Sequence, residues 1–452
     1  MSSGCRIRQR PRSRLAALSL VVAATGCATS PYDRAWVSRE LASVAAPLGP
    51  EASEGPSLPP GVGAAEEVDE STAVAIALWN SAALQADMAQ LGVSRADLAE
   101  AGALPNPTFS LLLPVGPRTI ETTLLLPLMA LWQRPARVAA ARLQVEQVAR
   151  GLVQNGMDLA RDVRVAHAEW VRAEERCEAL DELAALWKRT AELVEVRFQA
   201  GDASQMEVAT FRAEARTADD NAQRARTDVL LAREKLRLLM GLASSPLLEN
   251  VRPLAGTREV RPLRPLPDLV QLALAARPDV RAAELGIQGA GERLGWEQTK
   301  IVNLLARLDT KPTTTATGST SLWVPGAQME LPIFNWNQGG VGRAEAELAR
   351  ASSRYLLLRQ QVSNEVLTAH AQVVQAARSL EAFETTILPE LTTASDRARK
   401  AFEAGDLPYL QVLDTLRRLA DARLRTLELE ADLRRALAQL DRGLGKHGVA
   451  HE

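Results

Sequence analysis

The sequence predicts a mainly α-helical chain with a small β part, built as two copies of one half-molecule. Three observations carry that prediction. First, the segment Val196-Arg197-Phe198-Gln199-Ala200-Gly201-Asp202 returns as Lys400-Ala401-Phe402-Glu403-Ala404-Gly405-Asp406, 204 positions later. The match continues in register, pairing Val208 with Val412, Ala218 with Ala422 and Gly241 with Gly445. A period this long is a duplicated half rather than a solenoid repeat. Second, each copy carries a heptad seam. Phe211, Ala215, Ala218, Ala222, Ala225, Val229, Ala232 and Leu236 alternate steps of three and four, and Val412, Thr415, Leu419, Ala422, Thr426 and Leu429 keep the same rhythm. Third, β-like sequence is confined to one short stretch in each half.

Taken in order, residues 1–26 read as an export leader. Arg6, Arg8, Arg10, Arg12 and Arg14 precede an apolar run, Leu15 to Ala24, too short to span a bilayer. The run ends in Ala24-Thr25-Gly26-Cys27, which resembles a lipoprotein signal with Cys27 as the lipidation site; a plain secretory signal would leave Cys27 a free thiol. Loss of those five arginines takes the formal charge from −2 to −7, which argues against a nucleic-acid partner. Residues 27–65, rich in Pro, Gly, Ser and Ala, read as a flexible, extended tether without a core.

The first structural repeat spans 66–255 and the second 256–445, with a tail at 446–452. Each opens with an amphipathic helix, Ser71 to Ala101 and Leu266 to about Val302. Strands follow at 108–113 and 119–126 around Pro114-Val115-Gly116-Pro117, and at 304–310 and 327–331 around a Thr/Ser/Gly-rich loop from Lys311 to Ser321. Pro127 and Pro332 mark the strand-to-helix junctions, where a proline ends a ladder. Long helices are expected at 136–199 and 204–240, then 341–404 and 408–444. Residues 136–199 contain no proline and would make roughly 95 Å of helix. Only 4% of the 452 residues are aromatic, as thin coiled-coil walls require. No run of 18 apolar residues follows the leader, so a membrane crossing would need a closed barrel, which four strands cannot supply alone.

Chemistry leaves little trace. His167, His370, His447 and His451 stand apart from one another, and the three cysteines form no disulfide framework and no metal cluster. Gly339-Gly340-Val341-Gly342 lacks the Lys-Ser/Thr of a phosphate loop and eases a strand-to-helix turn instead. The expectation is a protein that is not an enzyme, with no cofactor, no catalytic residue and no metal site.

These features together resemble the TolC-like outer-membrane efflux channels, including lipoprotein members of the CusC and CzcC type, over about residues 66 to 445. The resemblance rests on the duplicated Phe-x-Ala-Gly-Asp segments, on Leu104-Pro105-Asn106-Pro107 and on Ala276-Arg277-Pro278-Asp279-Val280. Its most specific part is Leu331-Pro332-Ile333-Phe334-Asn335-Trp336-Asn337-Gln338-Gly339. It implies a homotrimer with a 12-stranded β-barrel in the outer membrane, four strands from each copy, and an α-barrel crossing the periplasm of a Gram-negative bacterium. A periplasmic adaptor and an inner-membrane pump would be its partners, with small molecules, including heavy-metal cations, as cargo. A type I secretion duct and a periplasmic coiled-coil adaptor or scaffold are the alternatives.

Within that resemblance the helix-turn tips are Gly201, Asp202, Gly405 and Asp406, with Asp202 or Ser204 able to cap the next helix. Glu207 and Asp414 match acidic residues near the family's periplasmic aperture, and in a trimer each would form a ring of three carboxylates favouring cations. As ordinary helix-start acids they would simply be solvated. Gln411 stands where an acid is expected. Leu407 replaces the family's basic gate residue, which shifts closure toward packing by Phe402 and Leu407.

Overall fold

A computed structural model describes residues 28–445, apart from 44, 51–54, 64–66, 114–119, 244, 250, 257–262, 316–317 and 405. Cys27, the leader, the turn at Pro114-Val115-Gly116-Pro117, Gly405 and the tail therefore lie outside the described residues. The chain forms two compact units. One comprises Met88–Gly151 and Arg281–Leu357 with the chain up to Arg34; the other comprises Ala35–Asp87, Leu152–Val280 and the chain from Leu358 onward.

The segment expected to be a coreless tether contains helix α1 (Arg34–Ala42), with Val37 and Leu41 fully buried. Those two residues stand i,i+4 and face one way, which is enough for a short helix once something covers it. Next come β1 (Glu67–Val68) and α2 (Glu70–Asn80), whose N-cap Asp69 accepts from the Thr72 amide at 3.0 Å. The helix expected from Ser71 to Ala101 is broken at Ser81, whose hydroxyl accepts from the Leu84 amide at 3.2 Å and so starts α3 (Ala82–Gly102). The second half repeats that break. The helix expected from Leu266 onward is α6 (Leu266–Ala276) and α7 (Pro278–Thr299), separated by an extended Arg277. Pro278 disfavours helical geometry at the residue before it.

β2 (Thr108–Leu112) and β3 (Glu121–Pro127) lead into α4 (Leu128–Gln199), a 72-residue helix. It starts eight residues earlier than the sequence suggests. Pro135 lies inside it, withdrawing one bond from the Leu131 carbonyl without ending the helix. After the tip, α5 (Gln205–Leu239) returns, and β4 (Arg252–Pro253) pairs in parallel with β1.

β5 (Asn303–Thr315) and β6 (Gly318–Glu330) are each far longer than expected, because the Thr/Ser-rich stretch read as a loop is the far end of the hairpin. Threonine is β-branched and fits a ladder. Pro312 is tolerated because β3 pairs with β5 only as far as Thr310, and Pro325 because β6 is an edge strand in the order β2-β3-β5-β6.

The second long helix is not continuous. α8 (Gln338–Ala382) passes through a π-helical turn, Phe383–Ile387, into α9 (Leu388–Glu403), and α10 (Tyr409–Leu444) returns. Along the seam of α5, Val208, Phe211, Ala218, Ala222, Ala225 and Leu236 are buried, and Ala215, Val229 and Ala232 are half-buried.

Candidate functional site

Two regions can be assembled from the residues upward: the four-stranded sheet, and the helix hairpins with their tips. In the sheet the register assigns each side chain to a face, since directly paired residues share one. Phe109 opposes Leu124, Leu124 opposes Leu308, and Leu308 opposes Pro325. The same face therefore carries Leu111, Thr122, Leu126, Leu304, Ala306, Thr310, Trp323, Ala327 and Met329, without one charge. Glu121, Thr123, Asn303, Arg307, Asp309, Gln328 and Glu330 all fall on the other face, among Leu112, Leu125, Leu305, Leu322 and Val324. There Asp309 accepts from the Thr123 hydroxyl at 2.7 Å and from Arg307 Nε at 2.8 Å. Phe109 and Trp323 on the apolar face are 64% and 62% exposed. A sheet with one charge-free, uncovered face and one charged face is built for two different solvents.

Pro127 is the last residue of β3, and α4 begins at the next position. Pro332 lies just past β6, within an exposed link in which Phe334 and Trp336 are uncovered. Asn337 ends that link at φ 58° and donates through Nδ2 to the Glu297 carbonyl (2.8 Å) and carboxylate (2.9 Å). A Cβ on Gly340 would lie 2.4 Å from Asn337 Oδ1, which explains the glycine there. Burial opposes the charge on Glu297, but hydrogen bonds from Lys300 and Asn337 outweigh it and hold the carboxyl below its ordinary pKa. At the same end of the sheet, just before β2, a Cβ on Gly102 would come within 2.9 Å of Ala28, so the residue after Cys27 is seated against the end of α3.

At the tips, Gly201 has φ +87°; its amide donates to Phe198 and the Asp202 amide to Arg197, at 3.0 and 2.8 Å. This is a Schellman stop, which requires the left-handed residue that glycine supplies. The Asp406 amide makes the matching bond to Ala401, at 2.9 Å. Ser204, not Asp202, caps α5, in a reciprocal box with Glu207. Pro408 precedes α10 as its N-cap residue and makes no side-chain cap.

Glu207 is thus engaged by its own helix start, and Asp414, exposed, pairs with Arg418 one turn along at 2.8 Å. Gln411, three residues before Asp414, is exposed. Phe402 is buried and Leu407 partly so, in a cluster with Trp187, Val208, Phe211, Val412 and Leu416 that joins the two hairpins. The Arg197 guanidinium sits 4.7 Å from the Phe402 ring centroid. Burying a Phe or Leu side chain is worth about 1.5–3 kcal/mol, an exposed pair such as Asp181–Arg226 (2.9 Å) about 0.2–1 kcal/mol. Packing therefore outweighs charge in holding the hairpins together.

Sequence reasoning missed an ionic chain. Arg277, its side chain 1% exposed, donates in two-pronged fashion to Asp279 (3.0 and 2.6 Å) and through Nη1 to Glu365 (2.6 Å). Glu365 also accepts from Arg442, which reaches Asp158 on α4 at 2.7 Å. Burial alone would lower the Arg277 pKa, but Asp279 and Glu365 raise it above the ordinary value. Gly445, at φ +72°, packs so close to Arg277 that a Cβ would lie 3.1 Å from its Cα. The Ala-Arg-Pro-Asp-Val motif was visible in the sequence; its distant partners carried no signal.

His167 is also buried, with Nε2 2.9 Å from the Val68 carbonyl. Burial disfavours the imidazolium and lowers its pKa, against smaller opposing effects of the Val68 carbonyl and Glu70. A depressed histidine pKa means the unfolded chain binds more protons, so the contribution is full above the unfolded value of about 6.5 and is lost as pH falls below it. The melting temperature should drop between pH 7.5 and 5.5, and His167→Gln should flatten that slope. Equal slopes would remove His167 from the account.

Among the described residues no group of three or more His, Cys, Asp or Glu is placed to hold a metal ion, and no helix is long and apolar enough to cross a membrane.

Comparison with known proteins places this geometry. The model of the family described as outer membrane efflux protein matches residues 269–446. The cobalt-zinc-cadmium resistance protein CzcC of Cupriavidus metallidurans is 28% identical over 382 residues, 83% of this chain and 89% of that protein. Among solved structures, the outer membrane protein VceC of Vibrio cholerae superposes with a TM-score of 0.70 at 18% identity, covering 84% of this chain and 96% of that one. CusC superposes with a TM-score of 0.67 at 19% identity, covering 89% and 99%. The fold is that of the VceC and CusC channels, and residues 269–446 are similar to the outer membrane efflux protein family.

Proposed function

We propose that this protein is the outer-membrane exit duct of a tripartite efflux system, working as a homotrimer with a periplasmic adaptor and an inner-membrane pump, and carrying out no chemistry itself. The observation that carries the reading is the two-faced sheet. Its apolar face suits lipid, its charged face suits a water-filled lumen, and the outer sides of β2 and β6 have no strand partner among the described residues. Open edges are not tolerated in hydrocarbon, and twelve strands from three copies would close them.

The similarity to a cobalt-zinc-cadmium resistance protein supports divalent heavy-metal cations as cargo. Deleting the gene should sensitise the bacterium to zinc, cobalt or cadmium; sensitivity confined to drugs or dyes would overturn the cargo assignment. Lipid attachment at Cys27 is supported by the seat of Ala28 against Gly102, six positions before β2 starts. A lipid on the neighbouring residue would then lie near the level where helix gives way to strand, and multiple acyl chains give durable anchoring. Cys27→Ser should abolish labelling with radioactive palmitate, and persistent labelling would refute the anchor.

A further inference from the structure

The π-helical turn at Phe383–Ile387 has a counterpart in sequence arithmetic. Below it, the two halves align at a spacing of 204, as Gly201 with Gly405 and Phe198 with Phe402. Above it, Ala166-His167-Ala168 aligns with Ala369-His370-Ala371 at a spacing of 203. The second half therefore holds one extra residue between these landmarks. The buried seam says the same. Ala166, Ala173, Leu180, Trp187 and Val194 follow one another at intervals of seven along α4. On the other helix Val366, Val373 and Leu380 keep that interval, but the next buried positions are Ser395 and Phe402, one residue late. A π-turn is how a helix absorbs one added residue, and such turns concentrate at functional sites.

The surroundings make this turn soft. The Leu388 amide reaches back five residues to the Phe383 carbonyl, and none of Phe383–Ile387 is buried. Pro389 supplies no amide, and Thr385, Thr392 and Thr393 each turn a hydroxyl back to the carbonyl four residues before, at 2.7, 2.7 and 2.9 Å. Back-bonding of this kind bends helices, and proline within a helix kinks them. The aligned stretch of the first half, Ala179 to Leu183, lies in unbroken α4 and is tied to α5 by Asp181–Arg226. Above the turn, Glu365 on α8 and the end of α10 are held together through Arg442.

We propose that Phe383–Ile387 is the flexure about which α9 moves relative to the clamped α8 when the periplasmic end of the duct opens, while α4 and α5 act as a fixed strut. This rests on the duct reading given above.

Hydrogen–deuterium exchange on the whole protein tests the softness without any assumption about transport. Amides of residues 383–392 should exchange at least about tenfold faster than those of 179–188, and equal protection would overturn the proposal. Deleting Thr386 removes the extra residue and should restore a continuous helix. In planar bilayers that variant should form pores of the parent's resting conductance but enter the wide state about tenfold less often, a difference of ~1.4 kcal/mol. An unchanged frequency of the wide state would overturn the proposal and leave the duct reading standing. Absence of any pore from the parent protein would defeat the duct reading, with the exchange contrast still deciding the flexure. Should the deletion block assembly, the combined Thr385→Ala, Thr392→Ala, Thr393→Ala variant keeps the residue count. It should slow exchange in 383–392, and unchanged exchange would count against the proposal.

Discussion

Leu308→Arg should cost about 2–4 kcal/mol of membrane insertion, a loss of roughly 30- to 1,000-fold, whereas Val324→Arg should stay close to the parent. The two positions sit at adjacent rungs of one ladder: Leu308 opposes Pro325 and Asp309 opposes Val324. They differ in face, not in depth. Leu308 shares its face with Leu124 and Trp323, where an arginine would meet hydrocarbon. Val324 lies on the face of Asp309, where an added guanidinium would meet a carboxylate. Urea titration of the protein folded in vesicles measures the difference. Equal losses in the two variants would mean that the sheet does not separate lipid from water.

Arg277→Ala should destabilise the protein by about 3 kcal/mol, the lower end of the range for breaking a buried ion pair. The lower end applies because Glu365 is 41% exposed and keeps Arg442 as a partner, so only part of the chain is left uncompensated. Arg277→Lys should recover less than half of the loss, since a single ammonium cannot reproduce the two-pronged contact with Asp279 and still reach Glu365. Thermal unfolding of the purified variants reads both. A loss under about 1 kcal/mol for the alanine variant would show that the chain from Asp279 to Asp158 is a solvated surface network rather than a clamp.

What the sequence made legible follows from periodicity and from residues with restricted backbones. Heptad spacing located the seams of α5 and α10, because a burial pattern repeating every three and four residues belongs to a helix against helices. Gly201, Gly241 and Gly445 all adopt positive φ, which is why glycine stands at each of these ends. Pro127 was legible for the same reason.

The misses came from residues whose preference depends on their surroundings. Val37 and Leu41 drive a helix only because a core covers them, and the flanking prolines and glycines hid that. The threonines of Thr313 to Thr315 suit a loop or a ladder equally, and their pairing with β6 decided for the ladder. Glu207 and Asp414 are a different case, since a ring of three carboxylates at an aperture belongs to a trimer and not to the contacts within one chain. Each has a partner within its own helix start, one through a capping box and one through Arg418. Asp279 lies two residues from Arg277, but the other partner of Arg277, Glu365, lies 88 residues away, beyond the reach of any local pattern.

The central claim, that three copies pool their strands into one pore through the outer membrane, is tested most directly by electron cryomicroscopy of the mature protein in lipid nanodiscs. The map should show threefold symmetry, a closed barrel of twelve strands at the level of the lipid, and Phe109, Leu308 and Trp323 turned outward to the acyl chains. A monomer with its four strands outside the lipid, or a barrel with Asp309 and Arg307 turned outward, would contradict it.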